Sequence, residues 1–136
     1  MAIFLLKKSY QASNQKEIGF KDLWGSHGVF TTIRLLGKPG KLILFKSHFK
    51  GLIKSLKKYK IYSKNIETNI NRLIYSNINK NINYDHLFRI ALTKKFISIS
   101  IRKRLKPKKD FELKLINYRR IDPGTKNLYY KKILKE

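Results

Sequence analysis

The sequence predicts an α+β domain in which a largely antiparallel sheet carries two packed helices. Three observations lead there. A β-branched hairpin pattern lies in the first third of the chain, two segments of helical apolar spacing follow it, and two short alternating runs separated by a tight turn come next.

Residues 1 to 27 open with a short apolar run, pass through the polar stretch Gln11 to Glu17, and bring Gly19, Gly25 and Gly28 close together. One short strand followed by loops is expected. From Val29 to Leu36 the pattern is β-branched and apolar, Gly37-Lys38-Pro39-Gly40 is a dense turn signal, and Lys41 to Phe45 turns apolar again. That order predicts a hairpin.

Ser47 can cap a helix in which Phe49, Leu52, Ile53, Leu56 and Tyr59 recur at helical spacing, with Lys50, Lys54, Lys57 and Lys58 on the other side. A second helix from about 65 to 77 places Ile66, Ile70, Leu73 and Ile74 on one stripe, with Ser63 as its cap. Phe88, Ile90 and Leu92 then alternate with Arg89, Ala91 and Thr93. After a Lys94-Lys95 turn, Ile97, Ile99 and Ile101 alternate with Ser98, Ser100 and Arg102. A further strand is expected at Phe111, Leu113 and Leu115, and the last segment turns from Asp122-Pro123-Gly124 and then looks helical to Glu136.

A length of 136 residues suits one domain. Hydrophobic residues at 42% argue against disorder despite the charge. Lys and Arg number 32 against 8 acidic residues, a net charge of +24 that would draw polyanions such as RNA to the surface. A small basic RNA-binding or ribosome-associated protein is therefore one functional reading. The lysines are scattered, however, and share their stretches with Asn and Ile, a combination that AT-rich coding also produces, so charge alone decides nothing.

The chain has no cysteine, which removes disulfides, thiolate nucleophiles and Cys-based zinc sites and fits a reducing cytoplasm. The apolar opening is too short for a signal-peptide core, and no apolar run approaches the roughly 18 residues of a membrane span, so a soluble protein is expected. His27, His48 and His86 have no i,i+4 partner, and no metal site is expected. Asp85-His86 has no serine in a G-x-S-x-G setting to activate, which removes hydrolase chemistry.

Three segments carry a resemblance to a known family. Gly28-Val29-Phe30-Thr31-Thr32-Ile33-Arg34 is similar to a G-V-F-E-T-I-R strand; Phe45 to Leu56 is similar to an apolar-x-x-H-L-x-R-L-x-x-S-A helix, with His48, Leu52 and Ser55 in step; and Tyr118 to Tyr130 is similar to a lysine-bearing linker motif, K-S-L-N or K-x-x-x-N-Y. In this order they resemble the N-terminal half of the class IV pyridoxal-phosphate enzymes: the branched-chain and D-amino acid aminotransferases and the aminodeoxychorismate lyases.

The resemblance implies pyridoxal 5'-phosphate as cofactor, Lys126 as the catalytic and cofactor-binding Schiff-base residue, and Phe30 and Thr32 as walls of the substrate pocket. It implies an amino acid or amino-chorismate-type substrate and a homodimer. Where the family's helix carries an arginine that grips the cofactor phosphate, this chain has Gly51, and Lys50 next to it is the expected substitute. Thr31 and Tyr129 also depart from the family's Glu and Asn. Family members are about twice this length, so residues 1–120 correspond to their small α+β domain and 121–136 to the start of the cofactor segment, with the second domain absent. Such a half is expected to be inactive alone.

Overall fold

The structure is a computed structural model that describes residues 2–110, 112–113, 115 and 117–129. It is α+β: eight elements form one six-stranded antiparallel sheet and two helices. The strands are β1 (Phe4–Gln11), β2 (Glu17–Ile18), β3 (Gly28–Gly37), β4 (Lys41–Leu42), β5 (Tyr84–Thr93) and β6 (Phe96–Lys103). Helices α1 (Phe45–Lys58) and α2 (Ile66–Ser76) lie between β4 and β5, and the sheet order is β2-β1-β6-β5-β3-β4.

Strand alternation builds the core. The register sets Val29 opposite Leu92, Ile33 opposite Phe88, Ile90 opposite Ile99 and Ile97 opposite Tyr10, so one face of four neighbouring strands is apolar. Against it α1 buries Leu52, Ile53 and Leu56, and α2 buries Ile66, Ile70, Leu73 and Ile74. The reverse face carries Phe30, Thr32, Ala91, Arg89, Ser98 and Ser100 in the alternate positions. Residues 20–24 cross that face, tied down by Ser98 Oγ donating to the Lys21 carbonyl at 2.8 Å.

Several elements differ from the sequence expectation. The hairpin's second strand stops at Leu42, because Leu44 takes a left-handed conformation (φ 55°) and the helix starts at Phe45. Ser47 is therefore inside the first turn and is not the cap. Asn65, also left-handed (φ 71°), precedes α2 in place of Ser63, whose carbonyl instead accepts from the Ile66 amide at 3.2 Å. β1 is longer than one short strand, since β6 pairs along nearly its whole length. Leu113 and Leu115 are 85% and 98% exposed and belong to no strand, for nothing packs over them; Phe111 lies outside the described residues, as does the expected helix beyond Tyr129. Among the described residues no helix is long and apolar enough to cross a membrane.

Candidate functional site

A cleft of about 410 Å³ opens between the start of β3, one side of α1 and the 124–126 turn. The sequence explains why these three meet. α1 crosses β3 because its apolar stripe must cover Val29, Ile33 and Leu35. The 124–128 segment reaches the same place by pairing with the free edge of β3. The Phe30 amide donates to the Lys126 carbonyl at 3.0 Å, the Leu128 amide to the Gly28 carbonyl at 3.0 Å, and Val29 bridges Asn127.

Asn127 is fully buried, and its side-chain amide donates to the Ile121 carbonyl at 2.7 Å, closing the 121–127 turn on itself. Leu128, also fully buried, fills a second small core with Leu23 and Ala91. From the other side Gly25, at φ 92° where a side chain would be strained, donates its amide to the Leu128 carbonyl at 2.7 Å.

A polar clamp joins this segment to the end of α1. Lys58 Nζ donates to Asp122 Oδ1 at 2.9 Å and to Thr125 Oγ1 at 3.1 Å, and the Tyr59 hydroxyl donates to Asp122 Oδ2 at 2.9 Å. The Lys58 hydrogen bond, followed by that from Tyr59, holds the Asp122 carboxyl below the usual carboxylate range. Burial, and then the hydrogen bond and charge of Asp122, push the Tyr59 phenol up to about 12. His27 bridges the Tyr129 hydroxyl and the Tyr59 carbonyl, the latter at 3.0 Å, and stacks on the Tyr59 ring.

Inside the cleft Thr31 points to the helix side of the sheet and is buried, with its hydroxyl 3.1 Å from His48 Nδ1. Burial first, and the positive charge of Lys126 second, lower the His48 pKa below its ordinary value. Both causes favour the uncharged imidazole of His48 beside Lys126.

Of the residues singled out by sequence, Phe30 and Lys126 line the cleft together. Phe30 is half-buried under the edge of Trp24, ring centroids 5.1 Å apart. Thr32 does not line the cleft. It lies opposite Arg89 on the same face as Phe30 but two residues further along β3, beyond the residues that border the cleft. Lys50 does not line it either. One residue back from Gly51 turns it about 100° around the helix, and it borders a separate groove with Phe45, Phe49 and Ile53. Sequence reading missed Thr31, Lys54, Lys58 and the Asp122 clamp. The spacing Ser47, Gly51, Lys54, Ser55, Lys58 along one helix side was the available signal, hidden among so many lysines. Among the described residues no group of three or more His, Asp or Glu side chains is arranged to hold a metal.

No protein-family model matches the chain, and searches of curated proteins and of solved structures find no match to it.

Proposed function

We propose that the cleft binds pyridoxal phosphate as part of an amino-acid-converting enzyme, an aminotransferase or lyase, with Lys126 as the attachment residue. The observation that carries this reading is convergence. Phe30, the His48 side of α1 and Lys126 come from three separate segments, the last some eighty residues beyond the second, and these are the segments whose motifs resemble the class IV enzymes. Chance similarity in three places gives no reason for them to line one cavity.

The residues present suit such a ligand. The cleft has the size of a small-molecule site, an aromatic wall at Phe30, lysines at 54, 58 and 126, and no carboxylate among its lining side chains. Bound there, the cofactor supplies an electron sink for charge developing at the alpha carbon of an amino acid. Lys126 Nζ is the group to move the proton at that carbon. His48 adds no positive charge next to Lys126, because burial keeps its ring neutral. Phe30 shields one side from water. An amino acid or amino-chorismate-type substrate and a homodimer belong to the same reading.

Titration with pyridoxal phosphate, followed by borohydride reduction and peptide mapping, tests it. Stoichiometric modification confined to Lys126 is the expected result. Modification scattered over the lysines overturns it.

A second reading, single-stranded RNA binding, rests on the groove across α1. Phe45 stacks on Phe49 at 5.4 Å and meets Tyr75 edge-on at 6.2 Å, and Lys46, Lys50, Lys54 and Lys57 border the same groove. Aromatic faces amid lysines suit stacked bases. Binding of an oligonucleotide that weakens steeply with salt and is lost in Phe49→Ala would support this reading; binding indifferent to Phe49 would be charge alone.

A further inference from the structure

The start of β1, outside the cleft, breaks the alternation that organises the rest of the sheet. Ile3, Phe4 and Leu5 are 56%, 43% and 49% exposed, three large apolar side chains in a row, and Leu6 then resumes the pattern by packing on the core. The cause is a bulge. The register with β6 slips between Phe4 and Leu6, so Leu5 has no partner across that ladder. Phe20, also exposed, lies beside Phe4, since the Lys7 ammonium sits over both rings, 4.3 Å from the Phe4 centroid and 5.2 Å from that of Phe20. The Ile3 carbonyl accepts from the Lys103 amide at 2.8 Å, which brings in the end of β6, and Leu105 two residues further on is exposed as well.

Large apolar side chains gathered in water mark a contact surface, and the surroundings of these say what kind. Residues 2–10 and 101–109 carry Lys7, Lys8, Arg102, Lys103 and Arg104 among their cations and no carboxylate. Of the acids on adjoining segments, Glu17 pairs with Lys8 and Asp85 with Arg34. The apolar tip is thus flanked by positive charge, which repels a second copy of a chain of net charge +24 and attracts an anionic surface. An added strand is a poor occupant too. β2 pairs only with Ser9 and Tyr10 of β1, but a bulge and lysines on the remaining edge are features by which sheet edges resist further pairing. Nor does the tip suit stacked bases, because the Lys7 ammonium sits over Phe4 and Phe20, and Ile3, Leu5 and Leu105 have no ring. A bilayer surface needs neither a regular edge nor open ring faces. It takes apolar side chains into the headgroup boundary and draws cations to anionic lipids.

We propose that the tip formed by Ile3, Phe4, Leu5 and Phe20 is a peripheral docking site for an anionic membrane surface. The apolar side chains enter the headgroup boundary, and Lys7, Arg102 and Lys103 meet the lipid phosphates. This is contact with one leaflet and not passage through it, and it is independent of what the cleft binds.

Co-sedimentation of the full chain with vesicles tests it, using phosphatidylcholine alone and phosphatidylcholine mixed with phosphatidylglycerol, in the native protein and in Ile3→Ser/Leu5→Ser. Both side chains are exposed, so the variant should keep the native melting temperature. The expected result is binding to the mixed vesicles only, about tenfold or more weaker in the variant. A chain this basic is drawn to any anionic vesicle, so the apolar dependence decides. No binding, or equal binding by native protein and variant, overturns the proposal. An oligonucleotide whose binding weakens with the same substitutions also overturns it, and makes the tip a nucleic-acid contact; a dimer that the variant abolishes makes it an interface between copies. A second measurement needs no variant. In small bicelles of the mixed lipids, a spin-labelled lipid should broaden the methyl resonances of Ile3 and Leu5 and spare those of Leu44, which is exposed beyond β4 at the opposite edge of the sheet. Equal broadening at all three overturns the docking site.

Discussion

The amide of Phe30 donates to the carbonyl of Lys126 at 3.0 Å, across a gap of almost one hundred residues in sequence. The lysine of the cleft is therefore held by the backbone of the strand that forms the cleft's wall, while its side chain stays exposed.

Gly28 is the point on which this attachment depends. A Cβ there would collide with the Leu92 carbonyl oxygen and come within 2.8 Å of Leu128 Cδ1. Gly28→Ala should destabilise the fold by about 1–3 kcal/mol, measured by urea unfolding, and should reduce selective labelling of Lys126 as Leu128 is displaced. A variant as stable as the native protein would show that the segment is not seated on β3.

Gly51 is the opposite case. Its site is open and helical, so Gly51→Ala should stabilise by roughly 0.5–1 kcal/mol, seen as a raised unfolding midpoint. Gly51→Arg should fold equally well and tighten binding of pyridoxal phosphate by supplying a fork of donors.

Tyr59 gives an alkaline prediction. Its phenol is raised to about 12 in the folded chain, above its unfolded value near 10. The neutral form is favoured, so the associated stability, on the order of 2 kcal/mol, is fully present below the unfolded pKa. It is lost as pH rises from there through the folded value. Absorbance titration at alkaline pH should show a late-ionising tyrosine that disappears in Tyr59→Phe.

Asp122 gives the acid counterpart. Its folded pKa is depressed, chiefly by the Lys58 hydrogen bond, so its contribution is present above the ordinary carboxylate pKa and is lost as pH falls through the lowered value. The exchange protection factor of the Asn127 amide should therefore fall in acid. In Asp122→Asn it should be lower at neutral pH and lose most of that pH dependence.

His48 reports on Lys126 directly. Its resonances should titrate below the ordinary histidine value, and Lys126→Gln should move that midpoint part of the way back, leaving the share due to burial. Protonation costs stability only as pH drops below the ordinary value, so the fold should lose little from this group above neutrality. A midpoint indifferent to Lys126→Gln would separate the two side chains.

The sheet was legible wherever one face is buried. Val29 to Leu36, Phe88 to Leu92 and Ile97 to Ile101 alternate because one side meets α1 and α2, and that alternation is written in the residues. Helix starts were not legible. Leu44 and Asn65 enter the helices through left-handed conformations without a side-chain cap, and neither Ser47 nor Ser63 has any mark showing it is passed over. Leu113 and Leu115 show the limit from the other side, since alternation creates a strand only where an edge is there to receive it.

The site divides in the same way. Phe30 and Lys126, singled out through motifs, border one cleft, a meeting that the motifs do not describe in space. Thr32 shares its strand face with Phe30 yet does not border the cleft, so alternation alone does not tell which of the two meets it. Thr31 and His48 form a pair visible only once α1 is laid across β3.

The burial of Leu128 between Gly25 and Gly28 sets the cooperative unit to which Lys126 belongs. Surface turns usually open on their own, at a small fraction of the free energy that unfolds the whole domain. This one is stitched to β3 on one flank and to the loop at Gly25 on the other, and sealed by a side chain with no exposed surface, so its opening must carry the contact of Leu128 with Leu23 and Ala91 with it. The backbone of Lys126 thereby draws its rigidity from the sheet, while its amine remains at the surface.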